Sequence, residues 1–185
     1  MRSLITLTCL FFLYGCATQV STLKSGEHKT LKSGKGFILL GVETNANLNS
    51  IYISGPQSIK LTHSDIKEGT NFLFVDLKAG KYKIDRVAIG KNRNLRLKQD
   101  DISWDLQIES GKISYVGHFE WKTHSYSRYY SFWSASYFVE LVNRSSEALE
   151  FLEKEHPLML SQNSLVYGGP GKDYFYSFLR ESEVK

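Results

Sequence analysis

Cysteine is nearly absent from this sequence. Cys9 and Cys16 are the only two among 185 residues, and both lie close to the amino terminus. Small exported domains often depend on disulfides for stability, but no pair of cysteines is available beyond residue 16 here. We therefore expect packing to stabilise the folded part. The roughly 170 residues from Cys16 onward are enough for one domain with a substantial core.

Long hydrophobic runs are scarce as well. The uncharged, mostly apolar run from Leu4 to Tyr14 covers only 11 residues, whereas a membrane-spanning helix needs about 20. Arg2 places a positive charge just before it. A positive residue followed by a short apolar run is typical of a secretory signal peptide, so we predict that residues 1–15 are a signal that is removed.

The end of this signal carries a recognisable tetrapeptide. Leu13-Tyr14-Gly15-Cys16 resembles the lipobox of bacterial lipoproteins. The resemblance implies cleavage before Cys16, a diacylglyceryl thioether on its sulfur, and acylation of the new amino terminus by a fatty acid such as palmitate. Tyr14 departs from the pattern, in which this position is usually small. In Gram-negative lipoproteins, an aspartate directly after the lipidated cysteine resembles a signal for retention in the inner membrane. This sequence has Ala17 at that position, so the resemblance implies the outer membrane, facing the periplasm.

Membrane attachment of this kind depends on the number of acyl chains. Each buried CH₂ group contributes about 0.8 kcal/mol, and one myristoyl chain alone binds marginally, so two or three chains give stable attachment. Two alternatives to lipidation of Cys16 remain open: a plain signal peptide with an accidental cysteine, and a buried N-terminal strand.

The segment that follows Cys16 is polar. Residues 17–35 are rich in lysine, serine, threonine and glycine, and Leu-Lys-Ser-Gly occurs at 23–26 and again at 31–34. We expect residues 16–35 to be a flexible tether with an end-to-end distance of about 22 to 26 Å. Its lysines could also touch anionic headgroups.

Strong charge of one sign is lacking. The formal net charge is +4, and the basic residues are dispersed among acidic ones. No basic stripe of the kind that binds nucleic acid stands out. We therefore expect no nucleic-acid partner.

Short runs of β-branched and aromatic residues dominate the chain from residue 36 onward, separated by Gly, Asn and Asp. This pattern favours strands. We predict strands near 37–43, 50–54, 58–62, 71–77, 81–89, 103–108, 112–122 and 136–142. We also expect 103–108 and 112–122 to form an antiparallel pair joined by a turn at Gly111, which can adopt positive φ.

One helix is predicted at about 145–156. Ser145 or Ser146 suits its N-cap, an apolar arc follows, and Pro157 ends it. We expect this amphipathic helix to lie over one face or edge of the sheet. The last segment contains a candidate short strand at 165–167, a Gly-Gly-Pro-Gly turn, and then a strand or a brief helix.

A family resemblance rests on several of these stretches together. The lipobox, the polar tether, "LKAGKYKI", "ESGKISYVGHFEW" and "EALEFLEKEHPLM" resemble uncharacterised bacterial lipoproteins built on a transthyretin-like or immunoglobulin-like β-sandwich. The resemblance covers roughly residues 36–160. It implies a mainly β, antiparallel sandwich over residues 36–185 with one C-terminal amphipathic helix, and it brings no assigned activity.

Catalytic motifs are also lacking. The chain contains no G-x-S-x-G, H-E-x-x-H or G-x-x-x-x-G-K-[ST] motif. We predict no catalytic residue, metal or cofactor. The strongest candidate for chemistry is His118 with Glu120, because alternate strand positions place both side chains on one face. A metal site there lacks a third ligand, so two solvated side chains are the favoured interpretation.

Aromatic residues are concentrated in one stretch. Residues 124–138, "HSYSRYYSFWSASYF", hold seven aromatic residues where the chain average of 14% predicts about two. Cross-strand packing is one explanation. A recognition surface for a protein, a glycan or a membrane is the other, with Arg128, Tyr129, Tyr130 and Trp133 as the candidate contacts.

Together these features predict a lipid-anchored, non-enzymatic binding or structural module of the bacterial cell envelope. Its expected partners are the membrane, through lipid on Cys16, and another envelope protein or a glycan. The alternative is a glycan-binding protein or a metal-dependent hydrolase of the cell wall that uses the His118 and Glu120 face.

Overall fold

A computed structural model describes residues 17–46, 48–89, 93–98, 100–124 and 136–183. Over these ranges the protein is mainly β, with two sheets and three helices. The strands are β1 (Thr18–Gln19), β2 (Lys35–Thr44), β3 (Ser50–Ser54), β4 (Ile59–Thr62), β5 (Gly69–Lys78), β6 (Gly80–Ile89), β7 (Arg93–Arg96), β8 (Asp105–Ile108), β9 (Ile113–His124), β10 (Ser136–Val142) and β11 (Leu165–Tyr167). The helices are α1 (Ser145–Glu155), α2 (Pro157–Gln162) and α3 (Phe175–Glu183).

The strands form one six-stranded and one five-stranded sheet. The six-stranded sheet has the order β1-β4-β3-β6-β7, with β8 also paired to β6. The five-stranded sheet has the order β10-β9-β2-β5, with β11 also paired to β9. Each of the eight predicted strands is present to within a few residues, and β1 and β7 were not predicted.

Both sheets are mixed, so the prediction of an antiparallel sandwich is wrong in this respect. Strand β2 is parallel to β9, β1 is parallel to β4, and β11 is parallel to β9. The expected antiparallel pair of 103–108 and 112–122 does not form, because β8 pairs with β6 in the other sheet. Gly111 does adopt positive φ, but its turn carries the chain between sheets, so β9 enters beside β2 and in the same direction.

Apolar side chains fill the space between the two sheets. This first core combines residues of the six-stranded sheet, such as Ile51 and Ile84, with residues of the five-stranded sheet, such as Leu40 and Trp121. All four are at most 1% exposed. The sheets therefore share one core, as the layers of a sandwich do.

The helices cover the outer face of the five-stranded sheet and make a second core. Ala148 and Leu152 of α1 pack with Phe37, Tyr115 and other residues of that sheet, which confirms the predicted placement of an amphipathic helix over a sheet face. The described ranges contain three helices where the fold prediction gave one, and α3 shows that the last segment, predicted as a strand or a brief helix, is helical. Pro157 ends α1 but also occupies the first position of α2, a position where its fixed φ and missing N–H are tolerated.

The start of α1 differs from the prediction in one detail. Neither Ser145 nor Ser146 is the N-cap, since the helix begins at Ser145 after Arg144. The side-chain oxygen of Asn143 instead accepts a hydrogen bond from the Ser145 N–H at 3.0 Å. This contact satisfies one of the free N–H groups of the first turn.

Residues 17–35 lie against the body, so the expectation of a flexible tether is not met over this described segment. The Leu23 N–H donates to the Phe74 oxygen at 2.8 Å and the Gly26 N–H donates to the Glu155 oxygen at 2.8 Å. Leu23 is 8% exposed and joins the second core. Isolated leucines in a polar segment give no periodic signal, which is why this packing escapes sequence analysis.

Both cores are formed by residues from Val20 onward. Residues 1–15 are predicted to be removed as a signal, and the described part of the chain, which begins at residue 17, contains the core residues named above. We therefore expect a chain of residues 17–185 to fold by itself, and this chain is the one used in the experiments on stability and binding below.

Candidate functional site

Five residues predicted to be functional lie outside the described residues. They are the lipidation site Cys16 and the aromatic-segment contacts Arg128, Tyr129, Tyr130 and Trp133. Their predicted roles therefore stay predictions.

The two ends of the aromatic segment are described. His124 of β9 pairs with Ser136 of β10, so both ends of the 125–135 connection are held together. The Tyr137 ring stacks on buried Trp121, with centroids 5.1 Å apart and planes at 11°. Tyr137 and Phe138 nevertheless stay 47% and 45% exposed. Tyr137 is thus used for packing on one side and presented to solvent on the other.

Strict alternation along the predicted strand 112–122 would place Ile113, Tyr115, Phe119 and Trp121 on one face, and this expectation is wrong because β9 contains a bulge. Two residues of β9 face one residue of β2 at this point, and Gly117 there has a φ of 113°. A bulge of this kind reverses the faces of all later side chains. Ile113 and Tyr115 therefore lie in the core beneath the helices, whereas Phe119 and Trp121 lie between the sheets.

His118 is completely buried on the helix-covered face, and the expectation of a solvated side chain is wrong. Its ring lies over Gly41, where there is no side chain to displace it. The Tyr115 hydroxyl lies 3.0 Å from Nδ1, and the Phe72 ring meets it edge-on at 4.9 Å. Nε2 makes no hydrogen bond within the described residues and lies 4.0 Å from Glu147 Oε2.

Glu120 shares this face and is only 4% exposed. Its carboxylate pairs with Arg144 and with Lys122, whose Nζ is 2.8 Å away. Arg144 also contacts Glu43 at 2.9 Å and Glu147 at 3.5 Å. We call these five residues the Arg144 cluster. Because Arg144 immediately precedes α1 and Glu147 lies in its first turn, the cluster attaches the start of α1 to the sheet.

The electrostatics of this face favour a neutral histidine and a charged glutamate. Burial lowers the pKa of His118, the charge of Arg144 lowers it further, and the carboxylates of the Arg144 cluster oppose both effects. Burial raises the pKa of Glu120, but the hydrogen bond from Lys122 and the charges of Arg144 and Lys122 outweigh it, so this pKa is below its usual value. A neutral His118 is consistent with Nδ1 accepting from the Tyr115 hydroxyl, which itself accepts from the Arg144 N–H at 2.9 Å.

These contacts give His118 and Glu120 structural roles. The oxygens of Glu120 are engaged by two cations, and His118 is enclosed by Tyr115, Phe72 and the β2 backbone. Across the ranges that the structure describes, no three His, Cys, Asp or Glu side chains are grouped so that they could hold a metal ion. The arrangement joins a helix to a sheet.

Comparisons with known proteins add no template for this face. No protein-family model, curated protein or solved structure matches the chain. Among the helices of the described ranges, none combines the length and the apolar character needed to cross a bilayer.

A cavity of about 550 Å³ opens beside the six-stranded sheet, within the size range of small-molecule sites. It is lined by the end of β3, by 81–83 of β6, by 105–107 of β8, by Ile102 and by the loop 168–171. Gly168 ties the two sheets together here: its oxygen accepts from the Gln107 N–H at 2.6 Å, and its N–H donates to the Tyr115 oxygen at 2.8 Å.

The cavity combines polar groups with one exposed apolar side chain. Lys81, Asp105 and Gln107 provide charge and hydrogen-bonding capacity, and Ile102 is 75% exposed at the rim. The Gly-Gly-Pro-Gly stretch was predicted only as a turn. Its glycines allow close backbone approach, since a Cβ on Gly168 would lie 2.1 Å from the Gln107 oxygen, and this was the available signal for the site.

Proposed function

We propose that this chain is a lipid-anchored protein of the bacterial cell envelope, attached to the membrane through Cys16, whose folded body binds another envelope component without catalysing a reaction. The observation that carries the proposal is the Leu-Tyr-Gly-Cys sequence at 13–16, at the end of the short apolar run that begins at Leu4. The outer membrane, with the body in the periplasm, is the proposed location because Ala17 follows the cysteine.

The body supports a binding role more than an enzymatic one. His118 and Glu120 are held in packing and ion-pair contacts, so the proposal includes no hydrolase step at that face. We also propose that the two sheets form a variant of the transthyretin-like or immunoglobulin-like sandwich. The shared core between the sheets supports this relationship.

Replacing Cys16 by serine tests the anchor. A serine oxygen cannot form the thioether, so we expect the variant to lack the lipid mass and to move from the membrane fraction to the soluble fraction. Mass spectrometry of the purified protein and fractionation of cells measure both effects. Cys9→Ser is the matched control, because residue 9 lies in the removed signal and this variant should behave as the wild type. If the Cys16→Ser protein keeps the wild-type mass and fractionation, the anchor proposal is wrong.

The cavity beside β8 supports binding of a small polar ligand, with a cell-wall glycan as the second candidate function. A photoreactive amino acid at position 102 should crosslink to the bound component in cells, because Ile102 is exposed at the cavity rim. The same amino acid at position 158 is the control, since Leu158 is 59% exposed on α2. Digestion of the adduct with a glycan hydrolase or a protease distinguishes a glycan from a protein. Identical adducts at both positions, or no adduct at position 102, would show that the envelope component does not bind at this cavity.

A further inference from the structure

Four turns meet at the end of the two sheets where β2 and β9 begin. We call this surface the anchor end; it consists of residues 32–35, 55–58, 78–81 and 109–112. Two backbone hydrogen bonds connect its turns. The Ala79 N–H donates to the Gly34 oxygen at 2.9 Å, and the Gly111 N–H donates to the Lys35 oxygen at 2.9 Å. Turns from both sheets therefore form one continuous surface.

The chain leaves the body for Cys16 at this same surface. The Thr18 N–H donates to the Ser58 oxygen at 2.9 Å. The turn that contains Ser58 also packs on the β5–β6 turn, where a Cβ on Gly80 would lie 2.7 Å from Pro56 Cγ. Cys16 is two residues from Thr18, and two residues span at most about 7 Å. A lipid on Cys16 would hold the anchor end close to the bilayer surface.

The anchor end is also where positive charge collects. Its four turns contain five lysines and a single acidic residue, Glu109. This excess is as large as the net charge of +4 of the whole chain. The basic residues that look dispersed along the sequence are thus brought together by the fold.

Three of these lysines have no acidic partner among the described residues and are available to an external anion. Lys35 pairs with Asp76 at 2.5 Å, and Lys112 pairs with Glu109 at 2.7 Å. The other three lysines are exposed and form no ion pair with a described acidic residue. They are Lys32, Lys78 and Lys81.

We infer that the anchor end binds the anionic headgroups of the membrane in which Cys16 is anchored. This inference rests on the proposed function, because lipid on Cys16 brings the surface to the bilayer. A lysine near an anionic surface strengthens binding roughly fivefold, so three unpaired lysines strengthen it roughly a hundredfold. Acyl chains and a basic patch together give firmer attachment than either alone, and the patch also orients the body, with the anchor end toward the lipid.

The test uses residues 17–185, which carry no lipid. We expect this protein to cosediment with vesicles of phosphatidylcholine that contain phosphatidylglycerol, and not with vesicles of phosphatidylcholine alone. Added salt should weaken the binding, because it screens exposed charges. The double variant Lys78→Glu and Lys81→Glu should bind roughly 30-fold more weakly or worse.

The matched control is Lys67→Glu with Lys154→Glu, which makes the same change in net charge. Lys67 is exposed just before β5, at the opposite end of the sheet, and Lys154 is exposed on α1. This variant should retain most of the binding. Circular dichroism of both double variants checks that they fold, as we expect for exposed side chains.

Three results would overturn the inference: no binding to the anionic vesicles, equal loss in the two double variants, or binding to heparin without binding to vesicles. None of these results bears on the role of Cys16, because the chain of residues 17–185 used in this test does not contain it. Conversely, an unchanged Cys16→Ser protein would overturn the anchor and leave the vesicle result standing. The two proposals therefore fail separately.

Discussion

Arg144→Met should destabilise the protein by about 2 to 4 kcal/mol at neutral pH. Removing one partner of a buried ion pair leaves the other charge uncompensated, at a cost of about 3 to 5 kcal/mol. Glu120 would be that charge, since it is 4% exposed. Lys122 remains beside it at 2.8 Å and the Arg144 side chain is itself 28% exposed, so we expect a loss somewhat smaller than that full cost. Urea denaturation of residues 17–185 measures the change.

The pH dependence of this loss distinguishes charge from packing. Arg144 helps to hold the pKa of Glu120 below its usual value against the opposing effect of burial. The stability that comes from this lowered pKa is present above the unfolded value of about 4.5 and is lost as pH falls through the folded value. The difference between Arg144→Met and the wild type should therefore stay constant from pH 7 down to about 4.5 and shrink as the pH falls further, through the folded pKa of Glu120. A difference that stays constant below this pH as well would indicate lost packing instead.

Two further variants complete the test of the Arg144 cluster. Arg144→Met combined with Glu120→Gln should be more stable than Arg144→Met alone, because no buried charge is left unpaired. Arg96→Met is the control, since Arg96 is exposed on β7 and surface changes usually stay within about 0.5 kcal/mol. If the double variant loses as much as the sum of its single changes, Glu120 and Arg144 are not coupled.

Turn chemistry could be predicted from this sequence, but strand pairing could not. Gly111 adopts positive φ, as expected from "ESGK", and Gly80 does the same in "KAGK". The turns themselves, however, lead from one sheet to the other. The same glycine chemistry serves a hairpin and a crossing between sheets, so the partners of β8 and β9 depend on the packing of distant strands.

On the helix-covered face, the bulge in β9 and the contact between Glu120 and Arg144 were not predicted from the sequence. His118 and Glu120 were placed together correctly, but "YVGH" was treated as uninterrupted alternation. A glycine within a strand often marks a bulge, and Gly117 gave that signal. Nothing in the local sequence links Glu120 to Arg144, which lies 24 positions later. Their contact depends on β10 returning along β9 and on α1 crossing the sheet.

Gly41→Ala should destabilise the protein by about 3 kcal/mol, the upper end of the usual range for overpacking. A Cβ at this position would lie 2.3 Å from three ring atoms of His118. The ring has little room to move, because Tyr115 and Phe72 contact it and it is 0% exposed. The direction of the change in stability is informative, because alanine in place of glycine within a strand would otherwise stabilise the protein by roughly 0.5 to 1 kcal/mol.

His118→Ala supplies the background in which this explanation can be checked. Without the imidazole ring the new methyl group has space, so Gly41→Ala should then be neutral or slightly stabilising. The four proteins of this cycle, compared by urea denaturation, give the coupling between the two positions. An equal loss in both backgrounds would mean that Gly41 is needed for the backbone of β2. A strong coupling would show that the bare glycine surface accommodates the buried imidazole ring, which the bulge at Gly117 turns toward the helix-covered face.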